Sequence, residues 1–249
     1  MSTSESAIAR RPGLSNVVDI VVAPGAAFAR LREVPTWGWA FLIATVLGIV
    51  GTILVTPALI HALEVSLPVK LAANPAIAKL PAEQQQSMIA TQLKVTKIFV
   101  QLSPIFVPIV LLVVGLLQGL IMTLANAIGH GDGSFKKYFA LSITVAVVGY
   151  GLGALLLGPI VMLRGPNSFE EQSAVQGALP SLALLAPGAK GFLAGFLGAL
   201  NVFYLWATAL LALGMQRVGR LSAGMAWTIS ILILLLTAAF AGWGAAMNG

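Results

Sequence analysis

Residues 98–129 read IFVQLSPIFVPIVLLVVGLLQGLIMTLANAIG, 32 consecutive positions without an Asp, Glu, Lys, Arg or His. As a helix rising about 1.5 Å per residue the run reaches about 48 Å, against a bilayer hydrocarbon core of about 30 Å. Inside lipid a single apolar segment of this kind satisfies its backbone groups only as a helix. Pro104 and Pro108 each remove a backbone donor, so the straight part of the span is expected over 104–128. Four further charge-free runs supply spans at 37–60, 138–163, 192–213 and 223–247. Trp37 and Trp39 open the first of them, where an interfacial aromatic belt belongs. The fold class that follows is all-α: a polytopic membrane helical bundle of five transmembrane helices over 37–249, preceded by an N-terminal segment, 1–36.

Composition agrees. Of 249 residues, 58% are hydrophobic and 9% charged, where a soluble domain carries about 25% charged residues. The mean hydropathy is +0.95. Disorder, collagen and disulfide scaffolds are excluded by the same figures. The net charge of +6 comes from Lys and Arg scattered over short connectors at the ends of apolar runs, which is a membrane signature and not a nucleic-acid footprint. With no cysteine, the chain has no disulfide, thiolate metal site or cysteine nucleophile. Arg10 and Arg11 are not followed directly by an apolar run, so no cleaved signal peptide is expected.

Residues 174–189 are charge-free but cut by Gln176, Pro180, Pro187 and Gly188 into pieces too short to span, and read as interfacial or partly re-entrant. Five spans put the termini on opposite sides. The tail after Arg220 lacks positive charge and suits the outside, which leaves the N-terminus cytoplasmic. The short basic connectors, His130–Lys137 and Met215–Leu221, then lie on the cytoplasmic side, with Ser134 (or Asp132) and Ser222 placed to cap the helices that follow. The long connectors, 61–97 and 164–190, lie opposite. In the first of them Pro81, Glu83 and a glutamine run open a surface helix that leads into the second span.

The chemistry of catalysis is missing from these patterns. No Asp, Glu, Lys, Arg or His lies inside any span, which lowers the expectation of an ion-coupled transporter. His61 and His130 fall at opposite ends of spans, and no H-E-x-x-H helix occurs. Gly129-His-Gly-Asp-Gly-Ser134 lacks the lysine and the flanking strand of a phosphate loop and reads as a hairpin turn. No catalytic, cofactor-binding or metal-binding residue is assigned, and the protein is read as no enzyme.

Small residues recur at four-residue spacing: Gly115 with Gly119, Gly149 with Gly153, Gly191 with Gly195, and Ala238 with Gly242. In lipid, close backbone approach through small residues is a main source of helix association, so these are packing positions. Asn126 and Asn201 are the strongest polar candidates for an interhelical contact. At the N-terminus, Pro24 to Glu33 reads as an interfacial helix over 24–33, with Phe28 and Leu31 on one face, turned into the membrane or onto the bundle, and Arg30 and Arg32 beside it. Together with Lys136 and Lys137, these residues are candidates for contact with lipid headgroups or with a partner protein.

The pattern Pro24-x-x-x-Phe28-x-x-Leu31-x-x-x-Pro35-x-Trp37 resembles the entry motif of bacterial members of the Yip domain family, named for the Ypt/Rab-interacting proteins of eukaryotic membrane traffic. The resemblance continues through Gly133-Ser134-Phe135-Lys136, Gly149-Tyr150 and Leu197-Gly-Ala-Leu-Asn-Val-Phe-Tyr-Leu-Trp206, and so covers nearly the whole chain. It implies five spans, a cytoplasmic N-terminus, and a non-enzymatic role in organising lipid or partner proteins. Family members often carry an acidic residue where this chain has Asn201, and Pro159 lies late relative to the family's Gly-Tyr element. The long N-terminal region through which eukaryotic members meet Rab GTPases has no counterpart in the 36 residues here, so Rab binding is not carried over. The sequence reading is therefore an integral protein of the bacterial inner membrane, with lipids as partners, no nucleic acid, no cofactor and an undetermined oligomeric state. The alternative is a small permease or channel component, with a path through Asn126 and Asn201.

Overall fold

The structure is a computed structural model describing residues 12–248, and among these the ordered elements are helical. Two short helices come first: α1 (Pro12–Val22) and α2 (Pro24–Glu33). Pro12 and Pro24 each sit at a helix start, where a missing N–H costs nothing. Arg30 and Arg32 fall in the last turn of α2, favourably placed against the helix dipole. The chain then runs through α3 (Gly38–Ala72), α4 (Pro75–Ala78) and α5 (Ala82–Ile128). Next are α6 (Phe135–Ala146), a π-helical turn (Val147–Leu152) and α7 (Gly153–Arg164). After α8 (Gln172–Gln176) come α9 (Gly191–Ala199), α10 (Val202–Gly219) and α11 (Ala223–Asn248). Five stretches are long and apolar enough to cross a membrane: α3, α5, α6 through α7, α10 and α11.

In two places the helices differ from the sequence expectation. No break marks the prolines of the second span, since α5 is continuous for 47 residues through Pro104 and Pro108. Pro104 leaves the Val100 carbonyl without its N–H partner, and the Ser103 hydroxyl donates to that same carbonyl at 2.7 Å. Such side-chain replacement is how membrane helices tolerate proline. The fourth span, read as 192–213, is broken at Leu200, where ψ of 56° leaves the helical region. The freed Leu200 carbonyl accepts from the Leu182 N–H at 3.2 Å, and Ser181 and Asn201 form an isolated antiparallel bridge. The membrane-length helix there is Val202–Gly219. Residues 174–189 supply its external partner from short turns, and no element among them is long enough to span.

The chain divides into two compact units. The first comprises the chain up to Gly48 with Val107–Gly153 and Val202–Thr237. Its core gathers Ile20, Phe28, Leu31, Met122, Tyr138 and Met215, so α1 and α2 belong to the packed body. The π-helical turn lies in this unit. A Cβ built on Gly149 would stand 2.9 Å from the Ala207 methyl of α10, and one on Gly153 would stand 3.5 Å from Phe203. The second unit comprises Ile49–Phe106, Ala154–Asn201 and the chain from Ala238, with a core of Val55, Ala58, Val161, Phe169, Val175 and Ala178.

Candidate functional site

The polar chemistry of the first unit concentrates where its two short connectors meet α1 and α2. Both connectors turn sharply after their helices. His130 follows α5 and Arg220 follows α10, each with φ of 51°, a left-handed conformation that caps a helix end but strains a residue other than glycine. The Asp132 N–H donates to the Gly219 carbonyl at 2.9 Å and ties one connector to the other.

Asn126, on the last turns of α5, shapes the first connector. Its amide Nδ2 donates to the carbonyls of Gly131 (3.1 Å) and Gly133 (3.2 Å). Its Oδ1 accepts from the Gly133 N–H (3.0 Å) and from the buried Tyr138 hydroxyl (2.7 Å). One side chain thus satisfies four groups and joins α5 to α6. The glycines are required by closeness: a Cβ on Gly133 would lie 2.5 Å from the Tyr138 ring.

Held in this way, Asp132 projects its carboxylate toward two arginines. It accepts from Arg32 of α2 at 2.8 Å and faces Arg220 Nε at 3.4 Å. Arg32 also donates to the Arg217 carbonyl at 3.3 Å. A second cluster fixes α1 to α2: Arg30 pairs with Asp19 and donates to Asn16 Oδ1 at 2.8 Å, while Asn16 Nδ2 donates to Thr36 at 3.3 Å. Both are partly exposed ion pairs, each contributing of order 0.2–1 kcal/mol, so they orient the hairpin more than they hold it. Attachment comes from apolar burial, with Ile20 and Leu31 fully buried and Phe28 only 1% exposed.

The structure therefore turns Phe28 and Leu31 inward and engages Arg30 and Arg32 with acids of the same unit. Lys136 is exposed and Lys137 half-buried at the start of α6, and among the described residues neither forms an ion pair. Asp132 does not cap α6, because its carboxylate is taken by arginines, and Ser134 makes no side-chain cap bond either. Ser222 does accept from the Met225 N–H, at 3.3 Å. Asn201 lies in the second unit at the broken helix, buried beside the Ser181 bridge. The glycine positions all face neighbours: Gly115 and Gly119 meet Phe139, and Gly149 and Gly153 meet α10. Gly191 and Gly195 approach α11, at Ala246 and Ala241 respectively. Sequence reasoning missed Asn16, Asp19 and Tyr138. Asn16 and Asp19 lie on α1, where the buried Asn16, Val17 and Ile20 follow a helical spacing that could have marked the segment as an amphipathic helix, and Tyr138 sits inside an apolar run.

A family model described as the Yip1 domain matches residues 18–246. The chain belongs to the Yip1 domain family. It is similar to the membrane protein YknW of Bacillus subtilis (strain 168), being 25% identical over 230 residues that cover 92% of this chain and 89% of that one. No solved structure matches it significantly. The Yip1 domain match begins at Val18, within α1, and so takes in Asp19, Arg30 and Arg32. The match thus takes in α2 and the second half of α1. With five membrane-length helices, this Yip1 domain protein is a multi-pass membrane protein.

Proposed function

We propose that this Yip1 domain protein is a non-enzymatic organiser of the bacterial cytoplasmic membrane, with the connector end of its first unit facing the cytoplasm and holding anionic lipid headgroups. One observation carries the reading: the cationic end is a preorganised surface. Residues 12–36, 129–137 and 214–222 hold six Lys and Arg against three Asp and Glu. The acids Asp19 and Asp132 are engaged by Arg30, Arg32 and Arg220, which leaves Lys136, Lys137 and Arg217 against one remaining acid, Glu33. Juxtamembrane cations of this kind are attracted to an anionic leaflet by about 1 kcal/mol each. An organiser is favoured over a permease by Asn126, one end of the polar path a permease would need, whose amide is taken up by Gly131, Gly133 and Tyr138.

The test is lipid selectivity. Purified protein is titrated with phosphatidylglycerol against phosphatidylcholine, and bound lipid is read by native mass spectrometry. Lys136→Gln with Lys137→Gln should weaken phosphatidylglycerol retention by about tenfold or more at low salt, from about 2 kcal/mol of lost attraction. Phosphatidylcholine binding should not change. Equal retention of both lipids by the parent and the double variant would refute the reading.

A further inference from the structure

A cavity of about 270 Å³ opens in the second unit, walled by the end of α3, by α8 and by the last turns of α11. On α11 it takes Phe240, Ala241 and Ala245, which lie about 26–33 Å along that helix from Ala223. Arg220, just before α11, marks where the helix enters the membrane, and the hydrocarbon core is about 30 Å thick. This wall therefore straddles the far membrane surface. Trp243, 66% exposed in the same turns, is a residue that such an interface favours.

The opposite wall is polar and carries both signs of charge. Lys70, half-buried in the last turn of α3, and Gln176 of α8 line it together with Glu171. One Glu171 carboxylate oxygen accepts from the Ser173 hydroxyl at 3.1 Å, and among the described residues Glu171 is in no ion pair. A simple anion would be repelled by Glu171, and a simple cation by Lys70. A ligand that suits both carries a phosphate and an ammonium in one headgroup, since lysine only donates and a carboxylate only accepts. The apolar wall at the membrane surface adds acyl chains to that description. Size agrees, because sites that enclose a whole small molecule run to about 300–1,000 Å³. A cavity of about 270 Å³ takes a headgroup and leaves the chains in lipid.

We propose that this cavity binds one zwitterionic phospholipid of the phosphatidylethanolamine type, with its phosphate at Lys70, its ammonium at Glu171 and its acyl chains along Phe240. Gly244 keeps the cavity open, since a Cβ there would meet nothing within 4 Å. The site lies in the other unit from Lys136 and Lys137, so the two lipid contacts stand or fall separately.

The test uses full-length protein carrying Lys136→Gln with Lys137→Gln, which weakens the connector contact. It is freed of copurified lipid, titrated with phosphatidylethanolamine or phosphatidylglycerol of equal chain length, and read by native mass spectrometry. The expected result is retention of phosphatidylethanolamine over phosphatidylglycerol. Adding Glu171→Gln should lower phosphatidylethanolamine retention about fivefold, the scale of one partly exposed ion pair, and raise that of phosphatidylglycerol. Gly244→Leu fills open space with a better helix former than glycine, so it should reduce phosphatidylethanolamine retention several-fold without lowering the melting temperature. Equal retention of the two lipids before Glu171 is changed, or phosphatidylethanolamine retention unaltered by Glu171→Gln or by Gly244→Leu, overturns the proposal. So does displacement of the lipid by equimolar glycerophosphoethanolamine, which would mark a site for a soluble zwitterion.

Discussion

Replacing Asn126 by alanine removes four hydrogen bonds from one place, and their surroundings decide how much each is worth. The Tyr138 hydroxyl is fully buried and loses its partner. A buried donor left unpaired costs about 1–3 kcal/mol. Gly131 and Gly133 lie in a half-exposed connector where water can replace the amide, so their three bonds add only about 1 kcal/mol together. The expected loss is about 2–4 kcal/mol. Tyr138→Phe deletes one of the four bonds and leaves the amide with the other three, a loss of about 0.6–1 kcal/mol. At about 2–4 °C per kcal/mol, Asn126→Ala should melt about 4–16 °C below the parent and Tyr138→Phe about 1–4 °C below it. The readout is tryptophan fluorescence on heating in detergent. Asn126→Asp should fall between the two, since it still accepts from Gly133 and Tyr138 but presents an acceptor to two carbonyls. Equal shifts for Asn126→Ala and Tyr138→Phe would refute the view that this amide organises the connector.

Other expectations follow from the packing and the ion pairs. Gly149→Ala should lower the melting temperature, since its Cβ would press on the Ala207 methyl at 2.9 Å, whereas Gly153→Ala has 3.5 Å of room and should be neutral or slightly stabilising; a reversed order would place the close contact wrongly. Asp132→Asn should cost little stability, about 1 kcal/mol or less, because the pair with Arg32 is partly exposed. Phe28→Asp with Leu31→Asp should instead release the hairpin, and limited proteolysis within 12–36 should separate the two variants clearly.

The spans were legible because lipid imposes one rule, an unbroken apolar helix, and the charge-free runs state it directly. What escaped reading depends on distant partners. Nothing near Leu200 announces a break inside an apolar run; the break exists because the Leu182 N–H, 18 residues earlier, takes the carbonyl. Pro104 looked like a place where the helix would kink or restart, yet Ser103 beside it repairs the missing bond. Asp132 looked like a helix cap, and only the fold brings Arg32 to it from 100 residues away. In α1 the β-branched run favours a strand by propensity, but burial of Val17 and Ile20 against the bundle makes it a helix. The family motif at Pro24–Trp37 was readable, and so was the burial of Phe28 and Leu31, but not the choice of the bundle over the membrane, since lipid and protein cores accept the same side chains.

The central claim is that the cationic connector end lies in the cytoplasm. It is tested most directly by single cysteines at Gly25 and Lys136 on that end, and at Glu83 and Gly188 on the long connectors, all at exposed positions. Intact and permeabilised cells are treated with a membrane-impermeant maleimide. The account predicts that Glu83→Cys and Gly188→Cys label in intact cells, while Gly25→Cys and Lys136→Cys label only after permeabilisation. Labelling of Lys136→Cys in intact cells would contradict it.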